Sequence, residues 1–184
     1  KNGEIYWESA IISPLKSADG STAYYLAVKE DVTESKKMEE SIREKEARFR
    51  GYFEYSQVGM TVTAPDKGWI EVNGQLQQML GYNLDELRQM TWAELTHPDD
   101  LEADLKNFEQ MIAGEIDDYA MDKRFIRKGG EIVYANLTVT CVRNEEGEVQ
   151  LVLASMMDIT ERKHMEQELI EAKQAADDAN RAKG

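Results

Sequence analysis

DVTESKKMEESIREKE (Asp31–Glu46) and DITERKHMEQELIEAK (Asp158–Lys173) are near copies of each other, 127 positions apart. Sliding the chain by that offset aligns residues 1–47 with 128–174 without a gap. Lys1, Gly3, Glu4 and Ile5 fall on Lys128, Gly130, Glu131 and Ile132, and Gly20 falls on Gly147. Leu26-Ala27 meet Leu153-Ala154, and Asp31, Thr33, Glu34, Lys36, Met38 and Glu39 meet Asp158, Thr160, Glu161, Lys163, Met165 and Glu166. Glu/Lys richness alone would not place the glycines. The offset is domain-sized, so the chain reads as the end of one module followed by a whole second copy.

Composition narrows the partners. A net charge of −14 repels phosphate backbones and anionic lipid, which argues against nucleic-acid or membrane-surface binding. One cysteine excludes a disulfide framework and fits a reducing compartment. No apolar run approaches the ~20 residues of a membrane helix, and no signal peptide opens the chain. Lys rather than Met stands first, so a longer parent protein is expected, with any membrane anchor elsewhere in it.

Residues 4–13 and 22–30 read as strands joined by a turn at Ala18-Asp19-Gly20. Glu34 to Phe53 reads as helix, with Met38, Ile42, Phe49 and Phe53 at helical spacing. Strands are expected over 59–64 and 68–72. A helix from Asn73 to Leu80 is stopped by Gly81, and Asn83 with Glu86 forms a capping box for the next. Thr96 opens a longer helix running to about Gly114. Three strands follow over 119–128, 131–143 and 148–158. The last is apolar on both parities, so something must cover its outer face. Beyond Thr160 the chain is expected to be helical to its end. There Met165, Leu169, Ala172, Ala176 and Ala179 form an a/d seam suited to a parallel homodimer.

In this order, Val72-Asn73, Gly81-Tyr82, His97-Pro98-Asp99-Asp100, Arg127-Lys128-Gly129-Gly130 and Asp158-Ile159-Thr160 resemble the PAS family of sensor modules over roughly 46–160. The resemblance implies an α+β fold, a five-stranded antiparallel sheet with short helices on one face. It divides the chain into the last strands of a truncated PAS domain (1–33), a connecting helix (34–50), a complete PAS domain (51–160) and an exit helix (161–184). The tail Glu171–Lys183 resembles the lead into the dimerisation helix of sensor histidine kinases.

For the sites, the repeat singles out Asp31, Thr33, Asp158 and Thr160 at two strand-to-helix junctions. Thr can cap the incoming helix, and Asp158 can pair with Arg127 or Lys128 on the neighbouring hairpin. A PAS cavity would draw on Trp92, Phe108, Met111, Ile112, Phe125, Leu137 and Leu153, which are equally the residues of a filled core. His97, Asp99 and Asp100 are better read as a helix start than as a metal or hydrolase site, and no metal is expected. His164 lies on a charged helix face, and Cys141 shares a parity with Leu137 and Val139, as a core residue would. Within the family, a flavin adduct needs a mid-domain helix cysteine and His-ligated haem needs a histidine on the long helix. Neither is present, so the cofactor stays unassigned. No phosphate loop or nucleophile-and-base pair marks an enzyme. The expectation is a cytoplasmic, non-catalytic sensory fragment, with a histidine kinase as output. A ligand-free spacer, or another output such as a diguanylate cyclase, is the alternative.

Overall fold

The computed structural model describes residues 5–18 and 20–181, in the order β1 (Glu8–Lys16), β2 (Thr22–Asp31), α1 (Thr33–Glu54), β3 (Gly59–Thr63), β4 (Trp69–Val72), α2 (Gly74–Leu80), α3 (Leu84–Leu87), α4 (Trp92–Leu95), α5 (Pro98–Ala113), β5 (Asp118–Ile126), β6 (Ile132–Arg143), β7 (Val149–Asp158) and α6 (Thr160–Arg181). The matches at Lys1, Gly3 and Glu4, turn residue Asp19, the Ala179 side chain and the helix beyond Arg181 lie outside the described residues. The chain divides into two compact units, one ending at Gly51 and one starting at Tyr52.

The first unit is a hairpin and most of α1. β1 continues through Pro14, past the Ser13 limit expected from sequence, because half the N–H groups of a two-stranded ribbon face away from the partner and Pro is tolerated there. Its register matches the β6–β7 hairpin step for step: Glu8↔Asp31 becomes Ala135↔Asp158, each 127 positions on. Even the irregularity recurs, between Leu15 and Lys16 and again between Val142 and Arg143. Gly20 and Gly147 close the two turns at the same positive φ of 85°, a conformation that only glycine reaches without strain. What differs is content. A Lys29–Glu8 ion pair at 2.7 Å occupies the positions held in the second hairpin by buried Met156 and Ala135.

The second unit is built on one antiparallel sheet, ordered β4-β3-β7-β6-β5. Helices α2 to α5 lie between β4 and β5 in sequence, and their buried residues join one core with the inner face of the sheet. Val133, Ala135, Leu137 and Val139 alternate inward along β6 with exposed Asn136, Thr138 and Thr140. Leu76, Leu80, Leu87, Met111 and Phe125 are fully buried, each contributing about 1.5–3 kcal/mol of burial free energy. This is the α+β arrangement that the resemblance implied. The outer face of the sheet stays open within the unit, with Ile132, Val142 and Met157 exposed.

Two local expectations fail for a visible reason. The helix α4 was not anticipated because four residues carry no periodicity. The Glu94 carboxylate forms it by accepting from the Thr91 N–H at 2.6 Å and its hydroxyl at 2.9 Å. Thr96 therefore ends α4 rather than starting α5. His97 is the cap, its Nδ1 accepting from the Asp99 N–H at 3.3 Å, and Pro98 is the first helical residue.

Asn73 is wholly buried and ties the end of α1, residues 58–60 and the start of α2 together. Its Oδ1 accepts from the N–H groups of Met60 and Leu76, and its Nδ2 donates to the carbonyls of Phe53 and Val58. Every hydrogen-bonding position of the amide is used.

Candidate functional site

Two places in the second unit concentrate polar side chains: a cluster inside the core and the junction where α6 leaves the sheet.

The cluster arises where two amphipathic patterns each carry one charge. On α5, Leu101, Asp104, Leu105, Phe108 and Met111 form the stripe turned to the core, so Asp104 is buried with its neighbours. On β5, Tyr119, Met121, Lys123 and Phe125 share the inward parity, so Lys123 is buried too. The two meet. Lys123 Nζ donates to Asp104 Oδ2 and, at 3.0 Å, to Thr96 Oγ1. The Tyr119 hydroxyl donates to Asp104 Oδ1 at 2.8 Å. The ammonium also lies 4.1 Å from the Phe125 ring centroid and 4.9 Å from that of Trp92, where the ring quadrupoles favour a cation. Burial pushes the Lys123 ammonium below its ordinary range, against the opposing pull of Asp104. The Tyr119 hydroxyl is pushed up by burial and by the adjacent carboxylate, so it is held as a donor.

The cluster borders a cavity of about 20 Å³ whose walls include Trp69, Trp92, Phe108, Leu137, Val152 and Met156. Of the expected lining residues, Trp92, Phe108 and Leu137 are there. Met111 and Phe125 are fully buried in the core but do not line the cavity, and Ile112 is a partly buried residue packed against the core, also outside the cavity wall. Leu153 is a correction. Val152 and Met156 face inward, so alternation turns Leu153 to the outer face, where it is 36% exposed. The sequence reading missed Asp104, Lys123, Tyr119 and Trp69. The detectable signal was a charge of each sign on an otherwise apolar stripe.

At the junction, Asp158 Oδ1 accepts from the Thr160 N–H at 2.9 Å, and Oδ2 receives Arg127 Nη2 at 3.1 Å. Thr160 Oγ1 accepts from the Tyr134 N–H at 3.0 Å, and the Ile159 N–H donates to the Tyr134 carbonyl. The expected Asp158–Arg127 pair is present, but the cap differs: the aspartate, not the threonine, meets the N–H at the helix entrance, and the threonine fastens the helix to β6. Lys128 does not reach Asp158; it pairs with Glu86. The first junction repeats the pattern, with Thr33 N–H on Asp31 Oδ1 at 3.0 Å and Trp7 N–H on Thr33 Oγ1 at 2.8 Å. A further strap holds α6, since Lys163 Nζ lies 3.3 Å from Asp122 Oδ2 and Asn136 Nδ2 donates to Asp122 Oδ1 at 2.8 Å. Asp122 and Lys123 are neighbours on β5, so one strand carries the strap outside and the buried pair inside.

Asp99 and Asp100 serve structure. Arg124 donates to both Asp100 oxygens and, at 3.3 Å, to Asp99. These hydrogen bonds hold the Asp100 carboxyl below its ordinary range. The unfolded chain therefore binds a proton first as pH falls below about 3.8. That contribution is present at higher pH and is lost through the lower folded value. Asp100→Asn is expected to flatten the acid limb of a stability-against-pH curve measured by urea unfolding; an unchanged limb would contradict this assignment. Among the described residues no group of three or more His, Cys, Asp and Glu could hold a metal ion, and no helix is long and apolar enough to cross a membrane.

Residues 70–156 match the family described as PAS fold, and residues 1–34 match that described as PAS domain. A probable diguanylate cyclase of Escherichia coli is 41% identical over 126 residues, 68% of this chain and 11% of that protein. The sensor histidine kinase TmoS of Ectopseudomonas mendocina is 25% identical over 138 residues, 71% of this chain and 14% of that protein. The chain spans 11% to 20% of the length of the first curated relatives it matches. Among solved structures, a PAS domain from Colwellia psychrerythraea covers 65% of this chain and 98% of its own, at TM-score 0.57 and 19% identity. A sensory box histidine kinase/response regulator from Burkholderia thailandensis covers 70% of this chain and 97% of its own, at TM-score 0.56 and 23% identity.

Proposed function

The chain belongs to the PAS family, and from that premise we propose that its second unit is a sensory relay within a tandem PAS arrangement, passing a change in its core to α6. The observation that carries this reading is the junction. α6 is fixed to β6 by a side-chain and a backbone hydrogen bond, and to β5 through Asp122, so a distortion of the sheet is delivered to the helix instead of being absorbed by a loop. The buried Lys123–Asp104 pair sits one residue from that strap, which gives a change inside the cavity a direct route out.

The relay acts through a parallel homodimer in the cytoplasm. Met38, Ile42 and Phe49 on α1, and Met165 and Leu169 on α6, are exposed at matching heptad positions, and sedimentation of the chain tests whether a second copy covers them. For the output, 41% identity to a probable diguanylate cyclase supports a cyclase ahead of the histidine kinase expected from the tail.

Asp158→Ala tests the relay. The variant loses a partly exposed ion pair with Arg127 and the acceptor for the Thr160 N–H, so it should give up about 1–2 kcal/mol of stability in urea and stay folded. Output regulation in the full-length protein should nevertheless change severalfold. Normal regulation in a folded Asp158→Ala protein would reduce the junction to a helix cap.

A further inference from the structure

One wall of the cavity beside the Lys123–Asp104 pair carries an unused hydrogen-bond donor. The Trp69 side chain is 4% exposed, and its indole N–H is buried without a partner. Lys123 has three ammonium protons, and its hydrogen bonds go to Thr96 and Asp104. Both Asp104 oxygens are occupied, one by Tyr119 and one by Lys123. The charges in the cluster already cancel.

We propose that this cavity takes a small neutral molecule bearing a carbonyl or hydroxyl oxygen, which accepts the Trp69 indole N–H while its apolar remainder lies against Leu137, Val152 and Met156. This inference rests on the sensory reading above and names the ligand class for it. An anion is disfavoured because it would bring an uncompensated charge into a site whose lysine is already neutralised by Asp104. A purely apolar guest would leave the Trp69 N–H unpaired, at the cost of a buried unsatisfied donor. Size is limited as well. The free volume of about 20 Å³ is about that of one water, so a guest of a few heavy atoms enters by moving the flexible Met156 thioether.

The test is a titration of the ¹⁵N-labelled chain with 2-butanone, 1-butanol and sodium butyrate at millimolar concentrations. The protein has three tryptophans, so its indole N–H signals are few enough to assign with Trp69→Phe. The two neutral probes should shift the Trp69 signal saturably, whereas butyrate, matched in size but charged, should leave it in place. Butyrate binding as tightly as the neutral probes, or no saturable shift with any probe, overturns the proposal. The comparison of probes is made on the unaltered protein, so it holds even if Trp69→Phe fails to fold. Amide exchange over residues 160–167 in the same samples separates this inference from the relay. A saturable Trp69 shift with unchanged exchange there upholds the ligand class and counts against the relay.

Discussion

Asp104→Ala is expected to destabilise the second unit by about 3–5 kcal/mol, because it strands the Lys123 ammonium in the core with no counter-charge. For a domain whose whole stability is about 5–15 kcal/mol, this approaches unfolding. The Tyr119 hydroxyl loses its acceptor in the same step. The paired replacement Asp104→Leu with Lys123→Met should recover most of the loss, since a buried ion pair is often no more stabilising than well-packed apolar residues of similar volume. Urea unfolding of the two variants decides the matter. A loss below about 1 kcal/mol for Asp104→Ala would mean that water reaches the lysine and that the pair is not a closed element of the core.

Asn73→Ala should be comparably severe, at about 3–5 kcal/mol, for a different reason. The substitution removes no charge and little volume, but it leaves the N–H groups of Met60 and Leu76 and the carbonyls of Phe53 and Val58 without their partner. Each orphaned buried group costs about 1–3 kcal/mol, less whatever water can restore. Asn73→Asp separates the two halves of the role, keeping the acceptor for Met60 and Leu76 while losing both donors. Its unfolding midpoint should still fall well below that of the unaltered chain. A midpoint equal to wild type would show that the Phe53 and Val58 carbonyls are satisfied by solvent.

These two residues mark how far the sequence could be read. Asn73 was legible as a boundary, since a short apolar helix that Gly81 stops was read from it, and α2 begins one residue later with Asn73 as its cap. Its hold on Phe53 and Val58 was not legible, because those contacts depend on how the chain returns on itself rather than on local spacing. The five strands of the second unit were visible through apolar runs bounded by turn residues, with clear alternation only in β6. The short α4 was invisible because a four-residue helix is held by one carboxylate and not by periodicity. In the cavity, Trp92 and Phe108 were found by size and apolarity. Leu153 was misplaced by the same criterion, since a strand apolar on both parities gives no indication of which face is inside. Lys123 and Asp104 were overlooked because neither element alone shows a partner for its charge. Only the pairing of β5 with β6 and the packing of α5 show that the two charges answer each other.

The recurrence of the junction fixes the azimuth at which each helix departs. Met38 follows Thr33, and Met165 follows Thr160, by the same five residues, so both seams leave their sheet at one rotational phase. An α-helix turns about 100° per residue. A single residue added between Thr160 and Met165 would therefore swing the seam by roughly a quarter turn, and a full heptad would return it. The connector thus works as a rotational vernier, in which length sets the angle presented to whatever follows and composition only sets how firmly that angle is held.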